Sequence, residues 1–350
     1  MTPATAEHQL AFISYLQRIF VEGDFVATYK FALLHAIADI CISRSVELEQ
    51  GSEVDLITLD ELADKFIELY WRHSLPYGIG QNEAQILKQS TGKQAGMLQL
   101  LGGLRQDGVN SLNGIKVHGS ISALHRKAKQ IIKDGPLWRL QILAGKAECF
   151  MYPHDGGSSI RLNPGIMFCM RRFYDLVISL ARTHWVQKIR DLKDNQHLIG
   201  QDAGLNEFLF GSDRQPLTSL APTLTEIQHG NCFYCGKPIK SQGEVDHFIP
   251  WSRYPVDLGH NFVLAHRSCN NNKRAFLAAE VHRDAWYEQN IIEHGKLLLD
   301  AFSPLMTVDV ERSVAITTWA YQQAASDGSQ LWLGIDKFVD FNNNKHALAS

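Results

Sequence analysis

Residues 232–276 read CFYCGKPIKSQGEVDHFIPWSRYPVDLGHNFVLAHRSCNNNKRAF, and the interpretation of the whole chain turns on them. Two pairs of metal-binding side chains stand out, Cys232-x-x-Cys235 and His266-x-x-Cys269, each with its donors about one helical turn apart. Thiolates with an imidazole in fourfold coordination suit zinc, and a structural zinc site keeps no open position. About thirty residues separate the pairs, so the metal would tie together the ends of a small module. A lone C-x-x-C also fits redox chemistry. The second pair, and the lack of a thioredoxin-like strand–helix pattern around the first, favour zinc. A cysteine is the more usual fourth donor in such knots, so a three-ligand site with His266 in solvent is the alternative.

Inside the loop that the zinc would close lies a second set of polar residues. Val245-Asp246-His247-Phe248 reads as a strand end, with the acid and the imidazole adjacent. Asn261 follows, ahead of the apolar strand Phe262-Val263-Leu264, and Asn270 comes directly after the last zinc donor. A helix is expected to start near 270–273 and to run through Phe276 and Leu277. The outcome is two strands and a helix pinned by zinc. Taken singly, an Asp-His pair, an asparagine before a strand or an asparagine at a helix start has a structural role in most proteins. Their coincidence within one zinc-closed loop is what carries weight.

In order and spacing, residues 232–277 resemble the HNH endonuclease family, also called the ββα-metal fold; the match covers about an eighth of the chain. The resemblance implies that His247 is the general base and that Asn261 holds its loop and orients the imidazole. It further implies that Asp246 and Asn270 hold a catalytic divalent cation, Mg²⁺ or Mn²⁺, while Cys232, Cys235, His266 and Cys269 hold structural Zn²⁺. Many relatives have histidine where Asn270 stands, but asparagine is also found in the HNH domains of RNA-guided CRISPR effectors. The chemistry of the residues agrees. Phosphodiester hydrolysis needs a nucleophile, a base near neutrality and neutralisation of charge at the leaving oxygen. An imidazole with an unperturbed pKa of about 6.5 takes a proton from water at neutral pH. One carboxylate and one amide oxygen leave open positions around Mg²⁺ for phosphate and water. A helix starting near Asn270 would turn free N–H groups toward the site. Lys273, Arg274 and Arg253 are the candidate nucleic-acid contacts.

Composition sets the frame. The chain has 350 residues, 45% hydrophobic and 20% charged, which suits about two globular domains. A net charge of −3 gives no bulk sign of a nucleic-acid partner. No apolar run reaches the roughly 20 residues of a membrane span; the strongest, 31–42, carries His35 and Asp39 and reads as a buried helix. Residues 1–10 lack a basic segment followed by an apolar one, so a cytoplasmic location is expected. Six cysteines are too few for a disulfide scaffold, and Cys41, Cys149 and Cys169 are scattered. The average charge conceals segregation: 45–68 has a local net of −7 and 116–146 of +6, while 171–193 has six bases against two acids. A polyanion responds to such local fields, since screening is nearly complete beyond about 8–10 Å.

The expected fold class is mainly α with a small α+β insert. It comprises a mostly helical N-terminal region (1–200), a linker (201–222), the zinc-stabilised ββα-metal HNH module (223–283) and a mainly helical C-terminal tail (284–350). Leu10, Ile13, Leu16, Ile19 and Phe20 predict one apolar helix face. Asp24 and Asp60 are candidate caps of the next two helices. Residues 138–151 read as strands, with a hairpin turn at 154–159. A single helix is expected over 164–192, with Phe168, Phe173, Leu176, Val177, Leu180 and Val186 inward, and Arg171, Arg172, Arg182, Lys188 and Arg190 outward. His35 and Asp39, one turn apart, read as a buried hydrogen-bonded pair, and Trp185 as core. Gly78-Ile79-Gly80 and Ser90-Thr91-Gly92-Lys93 fail the dinucleotide and P-loop patterns.

These features predict a metal-dependent endonuclease acting on nucleic acid, with double-stranded DNA the expected substrate. The basic stretches 116–146 and 171–193 would hold the duplex. A double-strand break would need a homodimer or a second encounter. By analogy alone, a restriction or anti-phage effector is the expected setting. The rival reading is a nucleic-acid-binding or assembly subunit that uses the module as a structural zinc knot. A third is a nuclease dormant until a partner subunit or guide docks, with 45–68 as the partner surface.

Overall fold

The sequence YKFALLHAIADICI leaves no polar side to its helix, and the helix Tyr29–Ile42 is buried on every face. In the computed structural model, which describes residues 3–44, 55–78, 84–200, 204–211 and 214–341, this helix is the axis of the first of two units. The units are Met1–Gly211 and Ser212–Ser350. Glu47, Glu49 and Glu53 of the acidic stretch, Ile79 and Gly80, part of the expected linker and the end of the tail lie outside the described residues. The chain is mainly helical, and its sheets are small antiparallel pairs, as the sequence predicts.

In the first unit, the buried polar residues of the axial helix are matched by neighbours rather than by each other. Asp39 pairs with the Lys65 ammonium, and His35 Nε2 accepts from Arg182 Nε at 3.2 Å. The expected His35–Asp39 hydrogen bond is therefore absent. Burial, with Arg182 beside it, pushes the His35 pKa down to about 3 and keeps the ring neutral. Arg171, expected on a polar face, is buried; its Nη1 donates to the carbonyls of Cys41 at 2.7 Å and Arg44 at 3.1 Å. A helix end leaves such carbonyls without intrahelical partners, so the guanidinium closes the axial helix.

Local chemistry explains the other departures. Thr58, not Asp60, caps the helix Leu59–His73: its hydroxyl accepts from the Glu61 amide at 3.2 Å, and Glu61 accepts from the Thr58 amide at 2.8 Å. Asp24 caps nothing, and Thr28 precedes the axial helix with its hydroxyl donating to Gln89 at 2.8 Å. In the first helix, Ala6–Glu22, Leu10 faces solvent and the inner face is Phe12, Tyr15, Leu16 and Ile19. The expected helix over 164–192 breaks at Phe173 into Ile166–Arg172 and Tyr174–Asp191, and Leu176 points outward. Of 138–151 only the two-residue strands Ile142–Leu143 and Lys146–Ala147 form. The segment after 154–159 pairs instead with Leu56–Thr58, a partner about a hundred residues away. Trp185 is core, with its indole N–H donating to Gln89 at 2.8 Å.

The charge territories meet inside this unit. Lys129 of the basic helix Ile121–Asp134 lies 2.7 Å from Asp60, and His125 Nε2 lies 3.0 Å from Asp64. Part of each stretch therefore screens the other, which reduces what either offers a separate partner.

In the second unit, the strands Glu244–His247 and Phe262–Ala265 pair antiparallel, with His247 opposite Phe262 and Val245 opposite Leu264. One core joins Phe262 and Leu264 to Leu220, Leu224 and Ile227 on one side and to Leu298 and Phe302 on the other. The two units part at 211/212, inside the expected linker 201–222, although helices occupy most of the described residues of that span. Leu205–Phe210 is a helix of the first unit, with Leu205, Leu209 and Phe210 buried, whereas Leu220 belongs to the core of the second. Pro222 lies within the helix Arg214–Ile227 rather than in a connection. Nor do 223–283 and the tail separate. Trp286 stacks on Phe248 at 5.2 Å between centroids, and Trp332 bonds through its backbone to Leu277 and Ala279 at 2.8 and 2.7 Å. No helix among the described residues is long and apolar enough to cross a membrane.

Candidate active site and zinc knot

The ends of the 232–269 segment converge. The ligand atoms of Cys232, Cys235, His266 and Cys269 all lie within 4.8 Å of one another. Donors around a four-coordinate ion with bonds of about 2.0–2.3 Å are spaced on that scale. His266 is directed into the cluster, with Nδ1 3.3 Å from Cys235 Sγ and Nε2 3.2 Å from the Pro238 carbonyl. A carbonyl on the far nitrogen is the usual support of a metal-binding imidazole, because it fixes ring and tautomer. The His266 amide also points at Cys232 Sγ, at 3.3 Å. Burial and the two neighbouring thiols push the Cys269 thiol up, so the cluster needs a cation to ionise fully. The donor set thus fits zinc.

The adjacent Asp246 and His247 project to opposite faces at the end of their strand. His247 packs its ring against Phe262 at 4.7 Å and Trp251 at 5.4 Å. Its Nε2 lies 2.7 Å from Asp257 Oδ1. Asn261 is buried and fastens the loop after the histidine by both of its amide groups. Its Oδ1 accepts from the Ile249 amide at 2.7 Å, and its Nδ2 donates to the Ile249 carbonyl at 3.0 Å. Its own carbonyl accepts from the Phe248 amide at 2.7 Å. The peptide around Asn261 is anchored in turn: Trp286 Nε1 and Asn290 Nδ2 donate to the His260 carbonyl at 2.8 and 2.9 Å.

Asp246 has one oxygen engaged. Its Oδ2 accepts from the Tyr234 hydroxyl at 2.6 Å and lies 3.0 Å from the Lys273 ammonium. Burial and the Asp246 carboxylate hold the Tyr234 hydroxyl protonated far above its usual range. Glu244, two residues before Asp246 and so on the same strand face, accepts from Asn270 Nδ2 at 3.0 Å. That bond orients the Asn270 amide, leaving its Oδ1 as the atom able to hold a cation. One carboxylate oxygen and one amide oxygen therefore fit a hard divalent ion.

Two parts of the sequence reading change. The helix begins at Arg267, not near Asn270, because the His266-x-x-Cys269 pair forms its first turn. The backbone amide of Asn270 is bonded to the His266 carbonyl at 2.9 Å, so Asn270 does not stand at a free helix N-terminus. Lys273 is not a phosphate contact. It is fully buried, and its ammonium also donates to the His247 carbonyl at 2.9 Å. Arg274 remains exposed just past the helix end, and Arg253 is half-buried in the turn after Pro250.

Asp257, Glu244 and Tyr234 were not singled out from sequence. Only Glu244 had a signal there, its two-residue spacing from Asp246 on a strand. Asp257 reaches His247 from a loop whose path no periodicity encodes.

Replacing Lys273 with methionine is expected to cost about 3–5 kcal/mol, because the partly buried Asp246 carboxylate loses its cation. Urea unfolding of the second unit measures this, and a change below about 0.5 kcal/mol would contradict the buried pair.

The site defines the class: a family model described as HNH endonuclease matches residues 232–276, and the chain carries an HNH domain over that segment. That domain supports nuclease activity, binding of nucleic acid and use of a divalent metal. A second family model, described as a domain of unknown function (DUF8808), matches residues 9–206, more than half of the chain, and the chain belongs to that family. No curated protein and no solved structure matches it.

Proposed function

We propose that this chain is an endonuclease that hydrolyses phosphodiester bonds in double-stranded DNA, with His247 as general base and Mg²⁺ as the catalytic ion. The observation that carries the reading is the double hydrogen bond of Asn261 to Ile249, which holds His247 at the strand end beside Asp246. Asp257 accepts the proton of His247 Nε2, so Nδ1 keeps the lone pair that takes a proton from the attacking water. The water oxygen forms a bond to phosphorus, and the bond to the 3′ oxygen breaks with its electron pair leaving on that oxygen, which takes a proton from solvent, giving a 5′-phosphate and a 3′-hydroxyl. Asp246 and Asn270 Oδ1 would hold the ion, which when bound neutralises charge on the phosphate and the leaving oxygen. Lys273 and Tyr234 fix the Asp246 carboxylate from behind. Arg274 and Arg253 are the cations that remain for backbone phosphates.

Supercoiled plasmid incubated with the protein in Mg²⁺ or Mn²⁺ tests this reading; the absence of nicking in both metals would overturn it. In the same assay Asp257→Asn is expected to lower kcat at least about tenfold with little change in KM, since Asp257 orients the base without touching substrate. A loss below twofold would remove Asp257 from the mechanism.

A further inference from the structure

The first unit has a cleft of about 720 Å³, within the range of about 300–1,000 Å³ common for small-molecule sites. It opens between the start of the helix Tyr29–Ile42, the end of the helix Ile121–Asp134 and the turn that follows. Val26, Ile131, Pro136, Trp138 and Ile142 form an apolar wall. Lys30 also lines it, only 7% exposed, and its ammonium has no hydrogen-bond or ion-pair partner among the described residues. The Phe25 ring, 5.2 Å from Nζ, compensates for a fraction of what a carboxylate would supply. The Lys30 Nζ is open to the cleft rather than enclosed by the protein, so it is available to a ligand there. Burial lowers the pKa of Lys30; Asp24 acts against this shift and Arg139 adds to it.

The remaining charges of the cleft are Glu22, Asp24, Asp134 and Arg139. Glu22 is already held by Arg18 at 2.8 Å, and the Arg139 guanidinium lies 4.7 Å from the Trp138 ring. An anionic head would satisfy Lys30 and Arg139. A flat apolar body would cover Trp138 and Ile131, and hydroxyl or amino groups would reach the exposed carboxylates of Asp24 and Asp134. A molecule with all three features is a nucleoside phosphate.

We propose that this cleft binds a nucleoside phosphate, with Lys30 receiving the phosphate. The site is separate from the HNH residues, and the proposal stands whether or not they cut. Isothermal titration of the full chain with AMP, adenosine and inorganic phosphate tests it. AMP is expected to bind once per chain and more tightly than either fragment. Lys30→Met is expected to weaken AMP at least about tenfold while leaving the Tm of the ligand-free protein within about 2 °C. A lysine kept only for structure would not combine those two effects. Trp138→Ala should weaken AMP and leave inorganic phosphate unchanged. No AMP binding, equal binding of adenosine and AMP, or unchanged AMP affinity in Lys30→Met would each overturn the proposal.

Discussion

His247→Ala is expected to lower plasmid nicking in Mg²⁺ by about 10³-fold, within the 10²–10⁴-fold range of a general base. The argument rests on geometry. The ring is held on three sides, by Phe262, Trp251 and Asp257, and its loop is fastened by Asn261. A histidine placed only for packing would not need a carboxylate at 2.7 Å from its far nitrogen. Because the ring packs against Phe262, the alanine variant also loses some stability, so His247→Gln, which fills more of the space without supplying the base, is the paired control. Both variants should keep their zinc and their cooperative unfolding while losing cleavage. Nicking within about tenfold of the unaltered protein would show that another group takes the proton.

Removal of zinc is expected to unfold the second unit. Structural zinc contributes about 10–16 kcal/mol of apparent binding energy in small fingers, as much as the total stability of many domains. Here the four donors join residues 232–235 to 266–269, the two ends of the segment that carries Asp246, His247 and Asn261. The purified protein should contain one zinc per chain, measured by elemental analysis. Chelation, or Cys269→Ser at the buried ligand, should abolish the near-ultraviolet circular dichroism of Trp286 and Trp332 and expose the second unit to protease. The first unit has its own core around the helix Tyr29–Ile42 and should keep its helical signal. A zinc-free chain with its tryptophan signals intact would overturn the assignment of the knot.

Much of the site was legible because its chemistry is local. Cys232 with Cys235, and His266 with Cys269, are each fixed by a single turn of chain, and Asp246 adjoins His247 along one strand. The burial of Lys273 was not legible. An exposed and a buried lysine at a helix end read alike, and the difference lies in Asp246 and Tyr234, brought to it from other elements. Asp257 was hidden for the same reason. The pairing between the charge stretches was not legible, because composition gives the number of charges but not their neighbours, and Asp60 and Asp64 face Lys129 and His125.

The domain boundary shows the same division. The units part at 211/212, within the Gly-, Asp- and Pro-rich span 201–222, while Phe210 on one side and Leu220 on the other belong to helices packed in their own units. By itself, then, the sequence determined the helical class, the Cys/His pairs that could hold zinc and the HNH signature, all set by spacings of a few residues. Only the tertiary structure decided which charges are buried, what orients His247, which helices reach into the boundary span and that Lys30 stands unpaired in a cleft. Each of these depends on contacts between residues far apart in the chain, and local pattern does not encode such contacts.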